Sequence, residues 1–199
     1  VSPREGHLEA AYRIFEYLYS HKRGGHVVFD DAEPEVDKSR FKDVNWTSIY
    51  GDLTEDIPSN MPELRDNPVI ISMFCDAAFA GDLVTRRSQT GIIIFINGAP
   101  ITWYSKRQNT VEASTFDSEF IALRVGCEMN DGLRYKLRMM GVPIQGPSNV
   151  YCDNEAVVAN STMAESTLKK KHLSVCYHKV RECCAKGAVR IAYEPTKTN

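Results

Sequence analysis

The fold is decided by residues 70–79, IISMFCDAAF, an apolar run that contains a single acid, Asp76. Such a run predicts a β-strand, and a carboxylate inside a buried strand is unfavourable unless it is paired or binds a metal ion. Two further acids have equally clear local settings. Glu119 lies in a predicted helix, and Asp153 ends a short predicted strand. A strand, a helix and a strand with one acid each form the arrangement that a two-metal phosphodiester-cleaving site needs.

Strand and helix signals alternate around this run. The first strand is predicted at 69–79, and Asn97-Gly98 predicts a hairpin between the next two. Strands joined by short turns should form an antiparallel meander. Ser114, followed by Asp117, predicts the start of a long helix. The other predicted elements are strands at 90–96, 99–105, 149–152 and 188–193, and helices at 115–139, after Asn154 and at 170–186. The fold class is therefore α/β (α+β mixed), a five-stranded mixed sheet with helices packed against it.

The first third of the chain differs in composition from the rest. Residues 7–22 carry apolar side chains at helical spacing and predict an amphipathic helix. His26 to Phe29 form a short strand candidate. Residues 30–66 are acidic and rich in turn formers, which indicates a linker or a poorly ordered insertion. We expect two parts, a segment at 1–66 and a compact domain at 67–199.

Composition limits the classes of function. The hydrophobic fraction of 43% permits a sizeable core. No apolar run approaches the roughly 18 residues of a membrane span, so no membrane partner is expected. The start of the chain lacks a signal-peptide pattern, which indicates either an intracellular chain or an excised piece of a longer one. Six cysteines form no C-x-x-C pair, so they predict buried residues in a reducing compartment rather than a zinc site.

Charge is distributed unevenly along the chain, although the formal net charge is only −2. Residues 1–70 hold 8 basic and 14 acidic residues, whereas residues 71–199 hold 16 basic and 12 acidic residues. A mildly basic second part suits a polyanionic partner but does not require one.

Six motifs together carry a resemblance to a known family. They are CDA at 75–77 with AGD at 80–82, TRRS at 85–88 with TG at 90–91, WYSKRQ at 103–108, SEFIAL at 118–123, YCDN at 151–154, and KH at 171–172 with YH at 177–178. In this order they resemble the ribonuclease H domain of copia-type retrotransposon polyproteins. The resemblance covers residues 70–196, and residues 7–29 more weakly resemble the connection segment downstream of the reverse transcriptase.

The resemblance implies a ribonuclease H-like fold and hydrolysis of the RNA strand in RNA–DNA hybrids. Asp76, Glu119 and Asp153 match the first three of the family's four catalytic, metal-binding carboxylates. Two Mg²⁺ ions are implied as cofactors, with Mn²⁺ as a possible substitute. The fourth carboxylate is expected beyond residue 199, so we expect a domain truncated at its C-terminus, and Glu194 is not assigned. The implied partners are the hybrid and the reverse transcriptase of the same polyprotein, in a cytoplasmic particle or the nucleus.

Basic and hydroxyl side chains near the predicted long helix are candidates for substrate contact. Lys106, Arg107 and Gln108 follow the third strand, and Ser114 and Thr115 lie at the helix N-terminus, where backbone N–H groups bind phosphate. Selectivity for a hybrid would come from groove shape and 2′-hydroxyl contacts.

Several alternatives stay open at this point. Arg86 and Arg87 contact either phosphate or only solvent, as the tip of an ordinary hairpin. Asp82 and Asp117 are interpreted as turn and capping groups rather than metal ligands.

Two histidines, His172 and His178, are six residues apart, which does not suit paired ligands on one helix face, so we expect packing or hydrogen-bonding roles.

A catalytically inactive nucleic-acid-binding or spacer module is the main functional alternative. A DNA-strand transferase of related fold is disfavoured because integrase-type zinc motifs and acid spacing are absent.

Overall fold

A five-stranded mixed sheet is the framework of the protein in the computed structural model, which describes residues 5–20, 35–65 and 67–196. The strands are β1 Ile71–Ala78, β2 Gln89–Ile96, β3 Ala99–Arg107, β4 Ser148–Cys152 and β5 Val189–Tyr193. Their order in the sheet is β3-β2-β1-β4-β5. The helices are α1 Glu5–Ser20, α2 Thr47–Tyr50, α3 Thr115–Met139, α4 Glu155–Thr162 and α5 Ser174–Ala185, with 3₁₀ turns at Lys38–Arg40 and Lys171–Leu173. The predicted fold class is confirmed.

The first three strands form the predicted antiparallel meander. Asn97 adopts a φ of 52° in the turn between β2 and β3, a conformation that asparagine tolerates better than most residues. Its side-chain oxygen also accepts a hydrogen bond from the Ile70 N–H at 2.9 Å. The β3 strand extends to Arg107, two residues beyond its predicted end.

The last two strands run parallel to β1, which the chain achieves by crossing over through α3. In the β1–β4 register, Cys75 pairs with Cys152. Parallel strands finish at the same edge of a sheet. The residues that follow these two cysteines, Asp76 and Asp153, therefore lie side by side.

The main core lies between one face of the sheet and α3. Met73 and Cys75 of β1 contact this helix at Gly126, where an added Cβ would lie 2.7 Å from the Cys75 Sγ. Glycine at this position allows the helix to approach the strand closely, which fixes the position of the helix start. The buried cluster also includes Phe120 and Leu123.

The opposite face of the sheet carries aromatic side chains and the first of the candidate acids. The rings of Phe74 and Tyr151 stack with centroids 4.9 Å apart. Residues alternate between faces along a strand, so Asp76 points to the same side as Phe74 and is exposed. The expectation that Asp76 is buried inside the strand is wrong, because only the face of β1 towards α3 is buried.

Residues 35–65, which the sequence predicted to be part of a linker, contact the sheet domain at several points. Trp46 is buried, and the Phe41 ring lies 5.8 Å from the Tyr151 ring. Glu55 forms two bidentate ion pairs, with Arg134 and Arg138, at N···O distances of 2.7–2.8 Å. The division of the chain at residue 66 stays a prediction.

Replacing Glu55 by glutamine is expected to lower the free energy of unfolding at pH 7 by about 1–2 kcal/mol, a value discounted for partial solvent exposure. Burial raises the pKa of Glu55, but hydrogen bonds from Arg138 and Arg134 outweigh this effect and bring the pKa from 4.5 to about 2. Because the pKa is depressed in the folded protein, the stabilisation is present above pH 4.5 and is lost as the pH falls towards 2.

Urea unfolding of Glu55→Gln between pH 7 and pH 3 measures this contribution. Glu63 is exposed, and Glu63→Gln is the matched control, for which we expect unchanged stability. An unchanged urea midpoint of unfolding for Glu55→Gln would show that residues 51–65 do not stabilise the domain through this side chain.

Helix α1 covers most of the predicted span 7–22. Its described apolar side chains are exposed, among them Leu8, Tyr12 and Phe15. Residues 21 and 22 and the predicted strand at 26–29 lie outside the described residues. Within the described part of the chain, no helix combines the length and apolarity that a membrane crossing requires.

Candidate metal centre

The three predicted metal ligands lie near the same edge of the sheet, where ligand atoms of Glu119 and Asp153 lie within 4.8 Å of each other in a group that does not include Asp76. Asp76 lies near the end of β1, and Asp153 follows β4 directly. The Asp153 Oδ2 accepts a hydrogen bond from the Thr196 hydroxyl at 2.8 Å. Glu119 comes from the second turn of α3, whose start packs against β1. The three elements that the sequence assigned to these acids are those observed.

Glu119 is the buried member of this cluster, with an exposed fraction of 5%. Its Oε1 accepts a hydrogen bond from the Ala77 backbone N–H at 3.1 Å, which ties the side chain to β1. Its Oε2 is buried and has no hydrogen-bond partner among the described residues. A buried carboxylate oxygen without a partner is costly, and a bound cation would satisfy it.

The negative charges of Asp76 and Asp153 both act on Glu119. Burial, followed by the negative charges of Asp76 and Asp153, raises the pKa of Glu119 from 4.5 to about 8. When protonated, Glu119 is within hydrogen-bonding reach of Asp76. None of the ion pairs formed within the described ranges involves any of these three acids. The cluster therefore concentrates negative charge without a protein cation to balance it, and its donor set fits a divalent metal.

A thiol that the sequence interpretation did not include lies against the same cluster. Potential ligand atoms of Glu119, Cys152 and Asp153 all lie within 4.8 Å of one another. Burial raises the pKa of Cys152 to about 12, so the sulfur carries a proton at neutral pH. The position of Cys152 next to Asp153 was the sequence signal that could have indicated this thiol, but the Cys152 side chain was expected only to fill the core.

The candidate substrate-contacting residues divide into exposed and internal side chains. Lys106 and Arg107 are exposed at the end of β3, where Arg107 forms an ion pair with Asp82. Gln108 is buried, and its Nε2 donates to the Thr90 hydroxyl and to the Ser118 carbonyl. Gln108 therefore holds β2 against the start of α3, and we omit it from the proposed contact surface.

The start of α3 has the predicted cap. Ser114 precedes the helix and its hydroxyl accepts a hydrogen bond from the Asp117 N–H at 3.3 Å, while Thr115 is exposed. The Ser114 hydroxyl also contacts the Lys170 Nζ at 2.7 Å. A positive charge is thus held at the helix N-terminus, where the helix dipole already favours anions.

The turn between β1 and β2 contains the other basic candidates. Arg86 is exposed with a φ of 57°, and Arg87 is partly buried. Asp82 accepts hydrogen bonds from the Val84 and Thr85 N–H groups, which confirms its interpretation as a turn residue. His178, also interpreted correctly, shares a hydrogen bond with the Tyr50 hydroxyl at 2.8 Å.

Comparison with known proteins confirms the predicted resemblance to retrotransposon polyproteins. The retrovirus-related Pol polyprotein from transposon TNT 1-94 of Nicotiana tabacum is 33% identical over 131 residues, which cover 65% of this chain and 10% of the polyprotein. The Pol polyprotein from transposon RE2 of Arabidopsis thaliana is 26% identical over 132 residues, which cover 66% of this chain and 9% of the polyprotein. The chain spans about a tenth of the length of these relatives. No family model matches it.

Among solved structures, the chain is similar to an N-terminal RNase H domain from Mycobacterium tuberculosis, determined as a fusion with maltose-binding protein. The identity is 14%, the TM-score is 0.48, and the match covers 65% of this chain and 84% of that one.

Proposed function

We propose that this domain is a metal-dependent endoribonuclease that hydrolyses the RNA strand of RNA–DNA hybrids. The observation that supports it most strongly is the buried Oε2 of Glu119, which lacks a partner in the described residues and whose carboxyl group feels the charges of both Asp76 and Asp153. Carboxylates on rigid strands and a helix are suited to holding two metal ions at a fixed separation.

The donor set suits Mg²⁺, with Mn²⁺ as a substitute, because Mg²⁺ prefers carboxylate oxygens, phosphate oxygens and water. When bound, a pair of such ions supplies an activated water and stabilises the charge on the leaving oxygen. The Ala77 N–H orients Glu119 by holding its Oε1, so that Oε2 faces the cluster. Asp76 and Asp153 supply oxygens from the two adjoining strands.

The basic residues are placed to hold the same nucleic acid beside this cluster. Gly91 pairs with Asp76 on one side and with Ser105 on the other. Two strand spacings separate Asp76 from Ser105, which is about 10 Å. Lys106 and Arg107 follow Ser105 and are therefore within reach of the backbone of a duplex bound at Asp76.

Phosphate contacts near the ends of the sheet complete the proposed interface. The N-terminus of α3 at Ser114 and Thr115 suits a phosphate of the DNA strand, and Arg86 and Arg87 extend the basic surface. Such contacts position a nucleic acid without reading its sequence. Since the relatives are Pol polyproteins, the reverse transcriptase part of one polyprotein is the proposed neighbour, and an intracellular location is part of the proposal.

Cleavage of a labelled RNA–DNA hybrid in Mg²⁺ and in EDTA tests the proposal, with single-stranded RNA and duplex DNA as competing substrates. We expect Mg²⁺-dependent cleavage of the hybrid alone. Asp76→Asn should lower this rate by about a hundredfold or more, because even loss of a residue that only supports a metal ligand costs 10–100-fold. Binding of the hybrid should persist.

An exposed acid outside the cluster provides the control. Asp56 is exposed, and Asp56→Asn should leave cleavage unchanged. Hybrid binding without cleavage in the parent chain would favour the inactive nucleic-acid-binding module instead. Cleavage that is equal in Asp76→Asn and the parent chain would contradict the proposed site.

A further inference from the structure

A second group of potential metal ligands lies beside the N-terminus of α3 and shares no residue with the first. It consists of Glu112 in the loop before the helix, Asp117 in the first helical turn, and His172 in the 3₁₀ turn. One ligand atom from each lies within 4.8 Å of those of the other two. Glu112 and Asp117 are neighbours in sequence, and the packing of Lys171–Leu173 near the start of α3 brings the distant His172 to them.

Asp117 supplies an independent sign of a missing ligand. Its side chain is fully buried, with an exposed fraction of 0%. Its Oδ1 accepts a hydrogen bond from the Lys170 Nζ at 2.6 Å. Its Oδ2 has no hydrogen-bond partner among the described residues and lies 3.6 Å from the His172 Nε2. That separation is too long for a hydrogen bond.

We propose that Glu112, Asp117 and His172 bind a divalent ion of the Zn²⁺ class. Zinc binds imidazole nitrogen and carboxylate oxygen at about 2.0–2.2 Å in a tetrahedral arrangement, which places neighbouring ligand atoms roughly 3.4 Å apart. The observed 3.6 Å between the Asp117 Oδ2 and the His172 Nε2 is close to this spacing. The Asp117 oxygen without a partner then becomes a metal ligand.

The chemistry of the donors separates this site from the carboxylate cluster. Imidazole suits Zn²⁺, Co²⁺ and Ni²⁺, whereas Mg²⁺ takes oxygen ligands. Lys170 neutralises part of the acidic charge through the other oxygen of Asp117, so the affinity should be lower than that of a structural zinc site. Glu112 is partly held by the Thr110 hydroxyl, which donates to its Oε1 at 2.5 Å.

Access and position indicate what such an ion would do. Glu112 and His172 line an open cleft of about 570 Å³, so an ion can reach them from solvent. The ion would join the segment that precedes α5 to the first turn of α3. Asp117 lies two residues before Glu119, so the bound ion would stiffen the helix start that presents Glu119.

Titration of the whole chain with Co²⁺, followed by visible absorption and by calorimetry with Zn²⁺, tests this site. We expect one intense visible d–d absorption band of tetrahedral Co²⁺ to appear with the first equivalent. His172→Ala and Glu112→Gln should each weaken binding by about tenfold or more. Neither change alters a buried residue, so both variants should fold.

Two controls test whether Co²⁺ binds at this site, rather than at the carboxylate cluster or at any exposed histidine. Asp153→Asn should leave the Co²⁺ band intact, because Asp153 belongs only to the carboxylate cluster. His178→Ala removes another exposed imidazole and should also leave binding unchanged. A chain that binds no Co²⁺, or loses binding in Asp153→Asn but not in His172→Ala, would overturn the proposal. Neither result depends on hybrid cleavage, so the proposed nuclease activity is judged separately.

Discussion

Glu119→Gln is expected to abolish metal-dependent cleavage and, at the same time, to stabilise the metal-free protein at pH 8. The rate should fall by about a hundredfold or more, since a direct ligand is worth at least as much as a supporting residue. The glutamine carbonyl can still accept the hydrogen bond from the Ala77 N–H, so the local structure should persist. Opposite effects on activity and stability are the expected signature of a functional carboxylate in an unfavourable setting.

The rise in stability follows from the raised pKa of Glu119, about 8 instead of 4.5. Below pH 4.5 the carboxyl is protonated in both the folded and the unfolded chain and has no effect on stability. Between pH 4.5 and 8 only the unfolded chain loses the proton, so the parent protein becomes less stable as the pH rises. By pH 8 this loss of folding stability is on the order of a few kcal/mol. The neutral glutamine amide cannot ionise, so the Glu119→Gln protein does not lose this stability.

Thermal unfolding from pH 5 to pH 8.5, without and with Mg²⁺, measures this effect. The parent should lose stability with rising pH in EDTA and regain it with Mg²⁺, whereas Glu119→Gln should show neither change. Glu128→Gln is the matched control on the same helix, where an exposed pair with Arg124 contributes less than about 1 kcal/mol. A Glu119→Gln protein that cleaves normally, or melts earlier at pH 8, would contradict the assignment.

The elements that sequence reasoning placed correctly have strong local signals. The Asn97-Gly98 turn determines the β2–β3 hairpin almost by itself, and α3 spans Thr115–Met139 as predicted from its cap and its terminating glycine. Both features depend on residues near one another in the chain. The parallel pairing of β1 with β4, which places Asp76 beside Asp153, was not predicted and is seen only in the structure.

The features that sequence reasoning missed depend on contacts between distant residues. The run around Asp76 is apolar throughout, so no alternation showed which face of β1 is buried. The sequence placed Glu119 in a helix but did not show that it is buried, which results from the close approach of α3 to β1. His172 and Asp117 are far apart in sequence and lie in different elements, so spacing rules for one helix could not bring them together.

Arg181 is the clearest case of a residue whose importance only the tertiary structure reveals. It lies in α5 with an exposed fraction of 1%. Its guanidinium donates to the carbonyls of Asn160, Met163 and Ala164 at 2.7–3.0 Å. It also lies 4.8 Å from the Trp46 ring centroid. Arg181 thereby joins α5 to the end of α4 and to the segment that contains Trp46.

Replacing Arg181 by methionine is expected to lower the free energy of unfolding by about 3 kcal/mol or more, because three partly buried hydrogen bonds to carbonyl groups are lost together with the buried guanidinium. For a protein of this size the melting temperature should fall by about 10 °C. Arg181→Lys should recover little of this loss, since an ammonium group lacks the planar fork that reaches all three carbonyls and stacks on the rings. Arg124 is more exposed and forms a local ion pair with Glu128, so Arg124→Met should change stability by less than about 1 kcal/mol. Chemical unfolding of the three variants and the parent chain measures these differences. Full recovery of stability by lysine would mean that charge alone stabilises this junction. An Arg181→Met protein as stable as the parent would mean that the three carbonyls find other donors.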